Sequence, residues 1–268
     1  MSSSKLSFEG VKRTDPLSFA RAINNAQIFQ SENDHIQVRR DLTGLLVTFA
    51  GARFLNMPDL ATVAVIIKRV ADEGKPVVIS WPRGSVDKPT PIEKYLERLR
   101  FADLFTKNSN TIDWRQRVSI RNRTELKHYP PDPSDKTHYI PLRWFTRRDF
   151  LLIGESSIWR ERPSVLPTVE REFHSVLLQQ EFADIETTDL LSRVLFVELA
   201  FNAVLHSALN PGEGSGVFCV QIHHHEEKPP LLTFCVADAG RSIPATLRSA
   251  FYEAVKAGKY FPDDSKTT

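Results

Sequence analysis

Apolar residues along the first hundred positions fall into alternating helical and strand-like rhythms. Between residues 58 and 73, Leu60, Val63, Ala64, Ile67 and Val70 form a stripe of period near 3.6, with Pro58 in a first-turn position and Gly74 as the stop. Residues 91–105 repeat the pattern through Ile92, Tyr95, Leu96, Leu99 and Leu104, and residues 16–29 through Leu17, Phe19, Ala20, Ile23 and Ile28. Strand-like stretches lie between these helices. Residues 35–40 alternate, 44–50 are more continuously apolar, and 75–81 centre on Val77, Val78 and Ile79. Strand, helix, strand, helix with short turns predicts an α/β layer structure, with residues 1–34 as a polar lead-in containing one helix.

Beyond residue 106 the rhythm weakens. Residues 106–165 are dense in Pro and basic residues, and only 139–142 and 150–153 read as short strands. Two helices follow. The first, 167–180, carries Val169, Phe173, Val176 and Leu177; the second, 188–209, has its cap region at Thr187, Thr188 and Asp189. The run Pro211-Gly212-Glu213-Gly214-Ser215-Gly216 reads as a turn. Residues 217–223 and 231–237 then alternate as the two strands of an antiparallel hairpin, and 245–257 read as a last helix.

A length of 268 residues, at roughly 150 per domain, allows two domains or one large one. The boundaries that follow from the pattern are 1–130, a connection over 131–164, and 165–268. Hydrophobic residues at 41%, with 17 Phe and 4 Trp, supply enough apolar surface to exclude disorder. The 35 Lys and Arg against 33 Asp and Glu leave a net charge of +2, which excludes a global basic field for nucleic acid. Locally the balance differs, since residues 106–165 hold 12 Lys and Arg against 7 Asp and Glu. With Trp114, Trp144 and Phe145 interleaved, that segment fits a patch for nucleic acid or another anionic partner. The period-two spacing of Arg115, Arg117, Arg121 and Arg123 also fits the solvated outer face of a hairpin, the reading we prefer. Two cysteines exclude a secreted disulfide framework; Cys219 and Cys235 fall near cross-strand register and read as small buried hydrophobes. No stretch of 18 apolar residues and no basic-then-apolar leader occurs, so a cytoplasmic, reducing address is expected, with no membrane partner.

Candidate chemistry concentrates in the second half. Glu198 and Asn202, four apart on the helix 188–209, share one helix face, where a carboxylate can orient a water and an amide oxygen can ligate Mg²⁺. His223 and His225 share a strand face without a third ligand, so no metal site is expected from them. His174 reads as a packing residue rather than a phosphoacceptor, because Ser175 follows it where an acidic residue would be needed.

Two family resemblances follow from these residues. Leu46-Val47-Thr48-Phe49, leading through Gly51 and Phe54-Leu55 into the helix at Pro58, is similar to the STAS-type fold of anti-sigma-antagonist proteins, over residues 35–105. Phosphorylation-switched members carry a Ser at the start of that helix; Leu55-Asn56-Met57-Pro58-Asp59 has none, so no such switch is expected. The order Glu198-x-x-x-Asn202-Ala203, hairpin, then Asp238-x-Gly240-x-x-Ile243-Pro244 resembles the first two boxes of the GHKL ATPases, which include sensor histidine kinases and anti-sigma-factor serine kinases. The resemblance implies a mixed α/β sandwich with helices on one face. It implies that Asn202 ligates Mg²⁺, that Asp238 accepts from the adenine amino group, and that Gly240 and Ile243 line the nucleotide. Glu198 takes the place of the general base. ATP and Mg²⁺ are the implied cofactors, a protein partner is implied, and turnover would be phosphoryl transfer or hydrolysis in a switch of bacterial signalling or defence. Two departures stand out: Ser242 replaces a second Gly, and the family's Gly-x-Gly-x-Gly lid does not occur before Thr268, so the ATP site reads as incomplete at its C-terminal end. The alternative is a non-catalytic interaction module with a degenerate nucleotide site.

Overall fold

The computed structural model describes residues 2–9, 16–32, 35–52, 55–82, 89–106, 114–123, 137–146, 169–179, 184–192, 199–207, 214–224, 230–238 and 240. The α/β expectation holds. Four strands, β1 (Ser2–Ser7), β4 (Leu42–Thr48), β5 (Val77–Ser80) and β6 (Val118–Arg121), form a parallel sheet in the order β1-β4-β5-β6. Its register aligns Leu6 with Val47, Val47 with Ile79 and Ile79 with Ile120, an apolar row on the covered face. The neighbouring row, Lys5, Leu46, Val78 and Ser119, points the other way, and Lys5, Leu46 and Ser119 are exposed. A separate antiparallel ribbon pairs β2 (Phe29–Glu32) with β3 (His35–Val38).

Several expectations are corrected. The polar lead-in holds a strand: Ser2–Ser7 pairs in parallel with β4, its signal reduced to one buried apolar side chain, Leu6, because it is an edge strand. The first helix, α1 (Pro16–Ala26), stops before residue 29, since Gln27 takes a left-handed φ of 45° and Phe29 opens β2. The residue 35–40 strand joins the ribbon rather than the main sheet. The helix over 91–105 divides at Arg100, with φ 51°, into α3 (Pro91–Arg98) and a 3₁₀ turn, Phe101–Phe105. The arginine-rich hairpin does not form: Trp114–Arg117 is a 3₁₀ turn, and β6 pairs in parallel with β5.

Helix α2 (Met57–Asp72) is closed at its start by a capping box, in which Asn56 Oδ1 accepts from the Asp59 amide and Asp59 Oδ2 accepts from the Asn56 amide, with Pro58 in the first turn. Its buried positions include Leu60, Ala61, Val63, Ala64, Ile66, Ile67 and Val70, too many for a helix with one wet face. The reason is a second sheet. Strands β7 (Thr137–Thr146), β8 (Ser215–His223) and β9 (Leu231–Asp238) form an antiparallel sheet in that order, and α2 packs against β8 and β9 as well as against β4 and β5. One apolar cluster therefore joins Leu45, Val47 and Ile79 to Leu142, Val217 and Cys219. On the far face of the second sheet, α4 (Val169–Gln179) and α6 (Leu199–Ser207) bury Phe173, Leu177, Ala200, Ala203 and Val204 against Phe218, Val220 and Ile222. A run of ring contacts, Phe8–Phe49–Phe101–Phe105–Trp114–Trp144, crosses from the first sheet to the second.

Candidate functional site

The helix that carries Asn202 lies across the strand that ends in Asp238. Helix α6 packs on β8 and β9, with Ala200, Ala203 and Val204 turned to the sheet and Asn202 left exposed. Small residues at 200 and 203 let the helix approach closely, and Gly214 continues that approach. A Cβ at Gly214 would collide with the Val204 carbonyl oxygen, a backbone atom fixed in α6. Beside it, the Ser215 amide donates to Ser207 Oγ at 2.8 Å, and Ser207 Oγ donates to the Val204 carbonyl at 3.4 Å. The last turn of α6 is thus tied to the first residue of β8. Gly216 is not a turn residue; it sits in β8, pairs with Asp238, and a Cβ there would strike the Phe145 ring.

Asp238 closes β9 and is exposed. Its Oδ1 accepts from the Gly240 amide at 2.7 Å, a local turn that draws the backbone back over the carboxylate. Asn202 offers a neutral oxygen at the surface, the kind of single protein ligand that Mg²⁺ takes alongside waters and phosphates. Asn202 and Asp238 thus present a neutral oxygen and a carboxylate at the surface. Glu198 and Ile243 lie outside the described residues, as do the helix over 245–257 and the strand over 150–153.

Other candidates resolve differently. The cap of α5 (Ile185–Leu191) is Asp184, not Thr187, Thr188 or Asp189: Asp184 Oδ1 accepts from the Thr187 amide at 2.7 Å, and these bonds hold its carboxyl below the usual range. His174, on α4, hydrogen-bonds Asp189 on α5 through Nε2 at 2.8 Å, a link between two helices. Two of the arginines with period-two spacing are occupied within the fold. Arg123 makes a paired contact to Glu97 at 3.0 Å and lies over the Trp81 ring, while Arg115 Nε donates to the Leu104 carbonyl and its guanidinium lies over Trp114. Among the described residues no group of three or more His, Cys, Asp or Glu gathers as for a metal, and no helix is long and apolar enough to cross a membrane. A cleft of about 490 Å³ opens at the carboxyl ends of β4 and β5, between Phe49, Gly51, Pro82 and Ile92. Among the described residues that line it, the one side-chain hydroxyl is on Thr90, and it already caps α3 by accepting from the Glu93 amide.

No protein-family model, no curated protein and no solved structure matches the chain.

Proposed function

We propose that the second half of this chain is a GHKL-type nucleotide-binding module that holds Mg²⁺-ATP through Asn202, Asp238 and Gly240, and that the first half is an STAS-like regulatory domain. The observation that carries the reading is the placement of the Asn202 helix on the sheet whose β9 ends in Asp238, with Asp238 and Gly240 joined in one turn. The Asp238 carboxylate would accept from the adenine amino group, and Asn202 would hold the cation. When bound, Mg²⁺ neutralises charge on the phosphate oxygens. Glu198, four residues before Asn202 in the sequence, would position the nucleophile if transfer or hydrolysis occurs.

Calorimetric titration of the full chain with ATP, with and without Mg²⁺, tests the proposal. Magnesium-dependent binding is expected, lost in Asp238→Asn; absence of binding, or unchanged affinity in the variant, overturns it. A second reading, a protein-interaction module without nucleotide, is favoured by the exposed apolar side chains Ile185, Leu190 and Leu199 on α5 and α6. Under that reading the titration is silent.

A further inference from the structure

Cys219 and Cys235 are directly paired across β8 and β9, and both are free thiols. Alternation along the strands turns both to the face that meets α2: Val217 and Cys219 belong to the central core, Cys235 and Ala237 pack on it, and Phe218, Val220, Phe234 and Val236 face the other way. Directly opposed residues in an antiparallel pair have Cα atoms about 4.5 or 5.5 Å apart, and both spacings lie in the range that a disulfide spans, about 4.4–6.8 Å. The register therefore places the two Cα atoms within disulfide reach.

The structure assigns Cys219 and Cys235 as an oxidisable dithiol, a modification site for a small hydroperoxide that becomes an intrachain disulfide. The two members have different roles. Cys219 is fully buried, whereas Cys235 is partly exposed and is the sulfur a peroxide reaches. The Cys219 thiol donates a hydrogen bond to the Cys235 sulfur, which favours the thiolate at Cys235 and holds the Cys219 thiol well above the usual range. Burial and the nearby Asp59 charge oppose the effect at Cys235 without reversing it. The Cys235 thiolate attacks one peroxide oxygen, the O–O bond breaks, and the departing oxygen takes a proton and leaves as water or an alcohol. Cys235 is then a sulfenic acid. The Cys219 sulfur attacks it, the S–O bond breaks, and the hydroxyl leaves as water with the Cys219 proton. Two thiols have lost two electrons and one hydroperoxide has gained them.

The test uses the reduced full chain, freed of reductant and exposed to hydrogen peroxide. The expected product weighs two hydrogens less by intact mass spectrometry, yields a non-reducing peptide linking Cys219 to Cys235, and reverts with dithiothreitol. In Cys219→Ser the resolving thiol is gone, so Cys235 accumulates a sulfenic acid that dimedone traps. The proposal is overturned if both thiols of the native chain stay alkylatable after peroxide. It is equally overturned if the disulfide forms only between chains or only in urea, or if Cys235 passes to the sulfinic acid while Cys219 remains a thiol. The wild-type measurement decides the matter even if a variant fails to fold.

Discussion

Asp59 has two tasks at the start of α2 that pull its carboxyl in opposite directions. It accepts the Asn56 amide in the capping box, which favours the charged form, and it is half-buried under the second sheet, which disfavours that form more strongly. The net effect raises its pKa above the ordinary aspartate range. A raised folded-state value means that the folded chain holds the proton more tightly than the unfolded one. The contribution to stability is therefore greatest below the unfolded value, falls as pH rises through the folded one, and stays reduced at neutral pH. Asp59→Asn keeps an oxygen for the Asn56 amide and removes the buried charge. Denaturant unfolding across pH should show the variant more stable than the parent at pH 7, with the gap closing in acid. A gap independent of pH would mean that burial of Asp59 carries no electrostatic cost.

Elements with strong periodicity were legible, and their ends were not. Helix α2 could be read from Leu60, Val63, Ala64, Ile67 and Val70 because one face of any buried helix must be apolar. The break between α3 and Phe101–Phe105 was hidden, since Leu96, Leu99 and Leu104 continue the helical spacing across Arg100. Only the backbone reveals that Arg100 turns left-handed, at φ 51°. An L-residue there costs about 1–2 kcal/mol, of which glycine would recover part after its own entropy loss. Arg100→Gly should raise stability by about 0.5–1 kcal/mol in urea unfolding; a loss would assign the exposed Arg100 side chain a stabilising contact. Strand β1 was missed for the opposite reason, because an edge strand needs few apolar side chains and shows mostly Ser and Lys. At the candidate site, Asn202, Asp238 and Gly240 stand out in the sequence only as motif residues, and the bond from the Gly240 amide to Asp238 shows in the structure alone. The close approach of Gly214 to α6 was not, because a glycine between elements reads equally well as a turn.

At the scale of the molecule, the helix layer shared by the two sheets decides how the chain behaves. Neither the first sheet nor the second can bury its inner face without α2, so the apolar cluster spans residues that a pattern-based boundary near 130 places in separate units. Ile67, fully buried in α2, is a direct probe. Ile67→Ala should cost about 2–5 kcal/mol and shift unfolding monitored by far-ultraviolet dichroism and by tryptophan fluorescence together. Separate shifts in the two signals would show that the halves unfold independently. The aromatic run between the sheets carries one more consequence. Trp114 and Trp144 meet edge to face at 5.5 Å, and Trp144 Nε1 donates to the Leu104 carbonyl. Two indoles so close and so crossed should exchange excitation, so circular dichroism is expected to show an exciton signal from this contact that is lost in Trp144→Phe.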